Sequence, residues 1–436
     1  MVETTSDIKV IGQGSYGCVH KPSLKCKKSP RPNFDYKKYI SKTMKVRDAY
    51  TELNEYSKLK NADPKNQFHL GNPILCNPSY NKKTIHALQK CKDIDIHKKK
   101  YSLLISKYGG EDVHKFFRYR LGAFLESNKA KKVDNILYSI LNLLKGVKAF
   151  RDHNLIHYDI KPQNILFDSK TCEMKYIDFG LMSYKTTVVE ESKNNTNWLG
   201  TYHWSYPFEC GLMNRDRFME YKQMSVHEKK IYASNFTKYI VYKKKNDIIK
   251  HPDSFELIFT YIDPLYHVPN MNVQYHYIQS FFEGMDMMLK KSYEDVLDKI
   301  VDSIDIYGLG VTIQLIINCL NMQKAIDQKV YLEIYSFCKK MYDFNLYDRE
   351  TDIDALINEY EQILVNNNIY GKNKSNHKNK NKKLLKKKSY ISPNLEKIAY
   401  LDPLSTIFVK SKTKKRGRVS HSQSRKRYNV INEINE

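Results

Sequence analysis

The chain has no Cys-x-x-Cys pair, no histidine cluster at metal-ligand spacing and no internal repeat. Its eight cysteines (Cys18, Cys26, Cys76, Cys91, Cys172, Cys210, Cys319 and Cys338) are scattered over 436 residues. That scatter argues against a zinc module and reads as reduced thiols in a cytosolic-type compartment. Met1 to Val10 is polar and lacks the basic-then-apolar layout of a secretory leader. The longest apolar run, Ile304 to Leu320, is interrupted by Asp305, two glycines, Gln314 and Asn318, which suits a buried core helix better than a bilayer span. The expectation is therefore a soluble, cytoplasmic protein with no membrane partner. Acidic residues are the minority, 48 against 73 basic ones, for a net charge of +25.

The excess is concentrated at one end. From Gly371 onward there are 19 Lys or Arg and 4 Asp or Glu, in a Lys/Asn/Ser-rich stretch that cannot bury enough apolar surface to order itself. Lys410 to Arg427 is its densest part, and a polyanion such as nucleic acid is the partner that it would take; solvated charge is the default reading of such a run. Single cores stop growing near ~250–300 residues, so the length fits one large enzyme domain with appendages.

Residues 6–20 read as strand, glycine turn, strand, and a Pro/Lys-rich stretch from Pro22 to Lys38 reads as an inserted loop. Tyr39 to Met44 resumes a strand pattern. Tyr50, Leu53, Tyr56 and Leu59 give Asp48 to Lys60 a helical apolar spacing. Tyr101 to Tyr108 is an apolar strand ending in Gly109-Gly110. Leu137, Ile140, Leu141, Leu144, Val147 and Phe150 mark a long amphipathic helix, and short strands follow at Ile165–Phe167 and Met174–Ile177. A strand-rich beginning followed by a helix-rich remainder argues for two lobes with a cleft between them.

The chemistry concentrates in His157-Tyr158-Asp159-Ile160-Lys161-Pro162-Gln163-Asn164, followed by Asp178-Phe179-Gly180. Transfer of a phosphoryl group asks a protein to orient a hydroxyl, neutralise phosphate charge and hold a metal ion, and this segment offers a residue for each task. Taken singly, Asp159 and Asn164 could be turn residues and Asp178 a cap. Their assembly in order, around an apolar Ile-Leu-Phe strand, favours the functional reading. Upstream, Gly12-Gln13-Gly14-Ser15-Tyr16-Gly17-Cys18-Val19 places three glycines where backbone can approach phosphates; alone, a hairpin would give the same letters.

Together these motifs make the chain resemble the eukaryotic-type serine/threonine protein kinase superfamily over most of residues 6–365. The resemblance implies an α+β, two-lobed fold: a strand-rich N-lobe at 1–105, a hinge at 106–112 and a helical C-lobe at 113–370, with an insertion at about 211–297 and a basic tail at 371–436. It implies ATP-dependent transfer of the γ-phosphoryl group to serine or threonine hydroxyls of proteins, with Mg2+, or alternatively Mn2+, as cofactor. Asp159 matches the catalytic aspartate, Lys161 the lysine on the transferring phosphate, and Thr201 the threonine that packs near both. Asn164 and Asp178 match the metal ligands. Gly12, Gly14, Tyr16, Gly17 and Val19 would cover the nucleotide and Leu166 would lie beneath adenine. Lys42 takes the place of the phosphate-binding lysine, with Lys37, Lys38 and Lys45 as rivals, and Glu55 is favoured over Glu52 as its helix partner. His157, Phe179, Leu59 and Asp305 match the buried column that joins the lobes.

Departures from the pattern carry expectations too. Tyr158 stands where the family usually has the arginine that reads an activation-segment phosphate, which implies activity without such a phosphate. Trp204-Ser205-Tyr206-Pro207-Phe208-Glu209 replaces Ala-Pro-Glu with the glutamate one residue late, and Glu209 is expected to reach Arg349. Some ninety residues then intervene before Ser303-Ile304-Asp305-Ile306-Tyr307-Gly308, read as a surface decoration ahead of a substrate platform. Gly-Cys-Val-His-Lys-Pro and Tyr-Ile-Ser-Lys are similar to kinases of large nucleocytoplasmic DNA viruses. The alternative function is a pseudokinase scaffold or anionic-partner module, against which every catalytic position is filled.

Overall fold

A computed structural model describes residues 8–14, 17–92, 94–95, 100–197, 205–232, 262 and 271–370. The fold is α+β and two-lobed. The small lobe is built on β1 (Lys9–Gly14), β2 (Gly17–Lys21) and β3 (Tyr39–Lys45), followed without a linker by α1 (Val46–Ala62) and then by β4 (Ile74–Cys76), α2 (Lys82–Leu88) and β5 (Tyr101–Lys107). Its strands form one antiparallel sheet in the order β1-β2-β3-β5-β4. The hairpin turn must have glycine at position 17, because a side chain there would drive into the Thr43 carbonyl on β3.

Past Gly109-Gly110 come β6 (Glu111–Asp112), α3 (Val113–Tyr119), α4 (Leu121–Leu125) and α5 (Lys129–Asp152). The stripe foreseen on α5 is buried from Val133 to Phe150. Next are β7 (Leu155–Ile156), β8 (Ile165–Asp168), β9 (Glu173–Tyr176), β10 (Ser183–Tyr184) and α6 (Lys185–Lys193). Strands β6, β8 and β9 form a three-stranded sheet, and β10 pairs with β7. The large lobe is completed by α7 (Arg215–Gln223), α8 (Met271–Met288), α9 (Tyr293–Met322), α10 (Gln328–Tyr342) and α11 (Ile353–Asn366).

Helix α9 starts where the Ser292 hydroxyl accepts the Asp295 N–H at 3.1 Å, with Glu294 and Asp295 in its first turn. It is long and apolar enough to cross a bilayer, but its apolar stretch is buried inside the protein, as a central core helix requires.

Two expectations are corrected. Four of the eight cysteines form disulfides, Cys18–Cys91 and Cys26–Cys76, both within the small lobe; Cys172, Cys210, Cys319 and Cys338 are free and buried. Pairs 73 and 50 residues apart in sequence leave no local spacing to read. The described ends of the 211–297 segment are not surface decoration: Phe218, Tyr221, Phe281, Met285 and Met288 join the large-lobe core. Residues 233–261, 263–270 and the basic tail, where nucleic-acid contact was expected, lie outside the described residues.

Glu209 and Arg349, both buried, form an ion pair, and the Arg349 Nε also donates to the Asp343 carbonyl at 2.7 Å. The late glutamate reaches its partner because a short 3-10 turn, Phe208–Leu212, swings it inward behind Pro207. Removing one member strands the other charge away from water. Glu209→Ala or Arg349→Ala is expected to lower unfolding free energy by about 3–5 kcal/mol in urea titrations; a change under about 0.5 kcal/mol, the size typical of exposed positions, contradicts the pairing.

Candidate active site

The site lies where the small-lobe sheet, the loop after β7 and the loop after β9 meet. Lys42 on β3 pairs with Val19 on β2 and Leu104 on β5. Its ammonium donates to the Glu52 carboxylate at 2.6 Å and lies 3.9 Å from Asp178 Oδ1. Glu52, not Glu55, is thus the lysine's partner. The phase of α1 decides this: Ala49, Glu52, Tyr56, Leu59 and Ala62 form its buried face, at spacings of three and four, and Glu52 is the one charge in that seam. Burial raises the Glu52 pKa, and the Lys42 charge opposes the rise. Glu55 instead pairs with Lys58, whose ammonium donates at 2.9 Å to the Met182 carbonyl in the loop beyond Asp178. Lys58, unmarked in the sequence, so ties α1 to that loop.

Asp159 is buried, with its carboxylate held from two sides. Lys161 Nζ stands 2.9 Å from Oδ1, and Asn164 Nδ2 donates to Oδ2 at 2.7 Å and to the Asp159 carbonyl at 2.9 Å. Burial pushes the Asp159 pKa up; Lys161 pulls it back and Asp178 adds to the rise. The Ile177 N–H donates to the Asn164 carbonyl at 3.0 Å, which sets Asp178 beside Asn164 although fourteen residues separate them. Asp178 has φ of 62°, a backbone state that turns its carboxylate out of the β9 direction.

The loop is anchored from below. Asp305 on α9 accepts the His157 N–H at 2.8 Å and the Tyr158 N–H at 2.9 Å, and Tyr158 adopts φ of 69°. Burial lifts the Asp305 pKa to about 6 and lowers that of His157 to about 4. Glycine at 308 lets α9 approach, since any side chain would collide with the Ile160 carbonyl. Phe179 packs between His157, 4.9 Å away, and Tyr56 on α1, 5.2 Å away between ring centres; Leu59 is also fully buried.

Val19 and Gly12 face one another across the β1–β2 hairpin, and Leu166 on β8 closes against the Gly109 region from the other lobe. Tyr16 and Thr201, with Gly200 and Trp204, lie outside the described residues. The structure therefore brings Lys42, Asp159, Lys161, Asn164 and Asp178 into one locus bounded by Val19 and Leu166. It leaves Glu55 beside that locus, engaged with Lys58.

Hard divalent cations take oxygen donors, and Asp178 with the carboxamide oxygen of Asn164 supplies them. Asn164 reaches the Asp159 carbonyl and carboxylate through its nitrogen, so its oxygen is not the atom that Asp159 engages. The donor set fits a hard divalent cation, which Asp178 and Asn164 would hold.

Residues 5–209 match the family model of the protein kinase domain. That segment, just under half of the chain, is similar to protein kinases. It is similar to mitogen-activated protein kinase 2 of Arabidopsis thaliana, 25% identical over 181 residues that cover 41% of this chain and 40% of that one. Mitogen-activated protein kinase 14 of the same plant is 25% identical over 175 residues, and mitogen-activated protein kinase KSS1 of Saccharomyces cerevisiae 24% over 179, each covering 40% of both chains. This chain thus spans about 40% of the length of these relatives. The kinase domain of a Toxoplasma gondii specific rhoptry antigen aligns over 82% of this chain and 80% of its own, at 11% identity and a TM-score of 0.41, too slight to argue from.

Exchanging the two glutamates checks the lysine's partner. Glu52→Gln, which frees Lys42 to shift, is expected to lower kcat/KM for nucleotide-dependent phosphorylation by about 10²-fold, the scale of a misplacement near 1 Å. Glu55→Gln is expected to stay within about threefold in the same steady-state assay; the reverse order would restore Glu55 as the partner.

Proposed function

We propose that this chain is an ATP-dependent protein serine/threonine kinase that uses Mg2+, with Mn2+ able to substitute. The observation that carries the reading is the convergence of Lys42, braced by Glu52, on Asp178, beside a buried Asp159 held by Lys161 and Asn164. In this reading Lys42 holds the inner phosphates and Lys161 the transferring one. Asp178 and Asn164 would hold the divalent ion, which screens phosphate charge.

Asp159 orients the acceptor hydroxyl. As the hydroxyl oxygen forms its bond to the γ-phosphorus and the bond to the departing ADP oxygen breaks, the hydroxyl proton passes to the Asp159 carboxylate. A pKa raised by burial makes that carboxylate a better proton acceptor, and Lys161 keeps it ionised. Lysine two residues after the aspartate supports serine/threonine over tyrosine acceptors.

Regulation follows from what replaces the missing arginine. Tyr158 is buried, its hydroxyl accepts from Asn197 Nδ2 at 3.4 Å, and its carbonyl accepts the Tyr206 O–H at 2.7 Å. Asn197 also donates to the Ser192 hydroxyl at 3.0 Å, and its carbonyl accepts from Asn214. Uncharged hydrogen bonds hold the segment where a phosphate and an arginine would otherwise do so. Ser192 is part of this network and fully buried, so it is no phosphate acceptor in this conformation.

Asp159→Asn is expected to reduce phosphorylation of a generic basic protein by ~10²–10⁴-fold while ATP binding persists; wild-type turnover by that variant refutes the assignment. Because the ionised form of Asp159 is the active one and its pKa is raised, activity should fall on acidification at a pH above the ordinary carboxylate value of ~3.9. Lys161→Met, lacking the opposing charge, should move this acid limb further up in a kcat/KM profile. Alanine at Thr186, Thr187 and Thr196 together is expected to keep activity within about twofold of wild type, because none of the three is buried, and a loss beyond tenfold would reveal an activating phosphate.

A further inference from the structure

The β1–β2 hairpin is stitched to one short stretch of chain that no motif marks. Gln13 and Cys18 are cross-strand partners at the closed end of the hairpin. Gln13 Nε2 donates to the Lys90 carbonyl at 3.2 Å, and its Oε1 accepts the Lys92 N–H at 3.1 Å. Between those two residues, Cys91 is disulfide-bonded to Cys18. Three attachments thus reach residues 90–92, just past α2, from a single rung of the hairpin.

Successive residues of a strand point to opposite faces, so Cys18 holds the hairpin from the face opposite to that of Val19. The stitch fixes the glycine turn without occupying the nucleotide side. We propose that Gln13, Cys18 and Cys91 are positioning residues for the nucleotide: residues 90–92 act as a strut that holds the glycine hairpin in its covering position, so that nucleotide affinity depends on an intact Cys18–Cys91 bond. This rests on the kinase reading above. A glycine turn left loose must be ordered when nucleotide binds, and a turn ordered beforehand spares that cost.

The bond is open to chemical control. A dithiol reductant delivers two electrons and two protons: the Cys18–Cys91 S–S bond breaks, each sulfur gains a hydrogen, and the reductant closes to its own cyclic disulfide. His20, buried on the same face, stands with Nε2 3.4 Å from Cys91 Sγ and 3.8 Å from Cys18 Sγ, placed to hydrogen-bond the sulfur that leaves. The two sulfurs and a ring nitrogen of His20 lie within 4.8 Å of one another, so a zinc ion held by the two thiolates and the imidazole is the competing account.

The test uses the full chain carrying Asp159→Asn, so that nucleotide is not consumed, and reads Mg2+-ATP binding by calorimetry before and after dithiothreitol, with thiol mapping by mass spectrometry. Reduction is expected to weaken binding roughly tenfold, within what lost preorganisation can supply. Cys18→Ser/Cys91→Ser should bind weakly in both conditions, and Gln13→Ala should weaken binding with its disulfide intact. Cys26→Ser/Cys76→Ser, which removes the other small-lobe disulfide, controls for stability alone and should keep the reduction effect. With Asp159 restored, Gln13→Ala and Cys18→Ser/Cys91→Ser should raise KM for ATP and leave kcat within about twofold, the split expected when binding alone is lost.

Unchanged affinity with the Cys18–Cys91 bond shown to be open overturns the proposal. So does one equivalent of zinc bound to free Cys18 and Cys91 thiols in the protein as purified, which would make the cluster a metal site. Absence of ATP binding in either state would sink the kinase reading and this proposal together, whereas redox-independent binding sinks only the strut.

Discussion

The loop from His157 to Asn164 hangs on one buried carboxylate. Asp305 sits in a long, largely buried helix and accepts two consecutive backbone N–H groups, those of His157 and Tyr158. Two donors aimed at one carboxylate fix the peptide plane between them, and this holds Tyr158 in a left-handed backbone state that a tyrosine seldom adopts unaided. The turn made there sends Asp159 and Lys161 toward the cleft. Burial works against the charge, lifting the Asp305 pKa to about 6, while the two N–H bonds and Arg151 favour the ionised form.

From this anchor the site assembles by contact. Gly308 lets α9 pass close under Ile160, and Asn164 hooks back onto Asp159. Ile177 pairs with the Asn164 carbonyl and so delivers Asp178. Asp178 meets Lys42 across the cleft, and Phe179 fills the space between His157 and Tyr56. Large-lobe helix, the loop from His157 to Asn164, the loop at Asp178 and small-lobe helix are thereby one packed path. The tie from Lys58 to the Met182 carbonyl strengthens it, so a displacement of α1 moves both Glu52 and the loop after Asp178. The disulfides are confined to the small lobe, the part with the smaller core, where cross-links that limit the unfolded chain have most to offset. They also remove the cysteine argument for a reducing compartment.

Much of the fold was legible because local pattern and final environment agree. The strands at 39–45 and 101–107 and the helix at 129–152 carry apolar spacings that match the faces they bury. The convergence of Asp159, Lys161, Asn164 and Asp178 was legible because their residue types and order answer to chemistry rather than to packing. Glu52 was misjudged although a signal was present: it falls in the three-four seam of Ala49, Tyr56 and Leu59, but a buried charge in an apolar stripe looks like a flaw until Lys42 is placed opposite. The disulfide partners and the strut at residues 90–92 had no such signal, because nothing in the sequence relates Cys18 to a residue 73 positions away.

The sequence by itself determined the reactive groups, their order, the amphipathic faces and the basic imbalance of the last 66 residues. These are properties of residue identity and short-range periodicity, which do not depend on where distant segments lie. Tertiary structure decided which glutamate braces Lys42, which cysteines pair, and that the ends of the long insertion enter the large-lobe core. Each of those outcomes joins groups far apart in sequence. Helix phase, sheet order and burial select the partner, and they exist only once the chain has closed on itself.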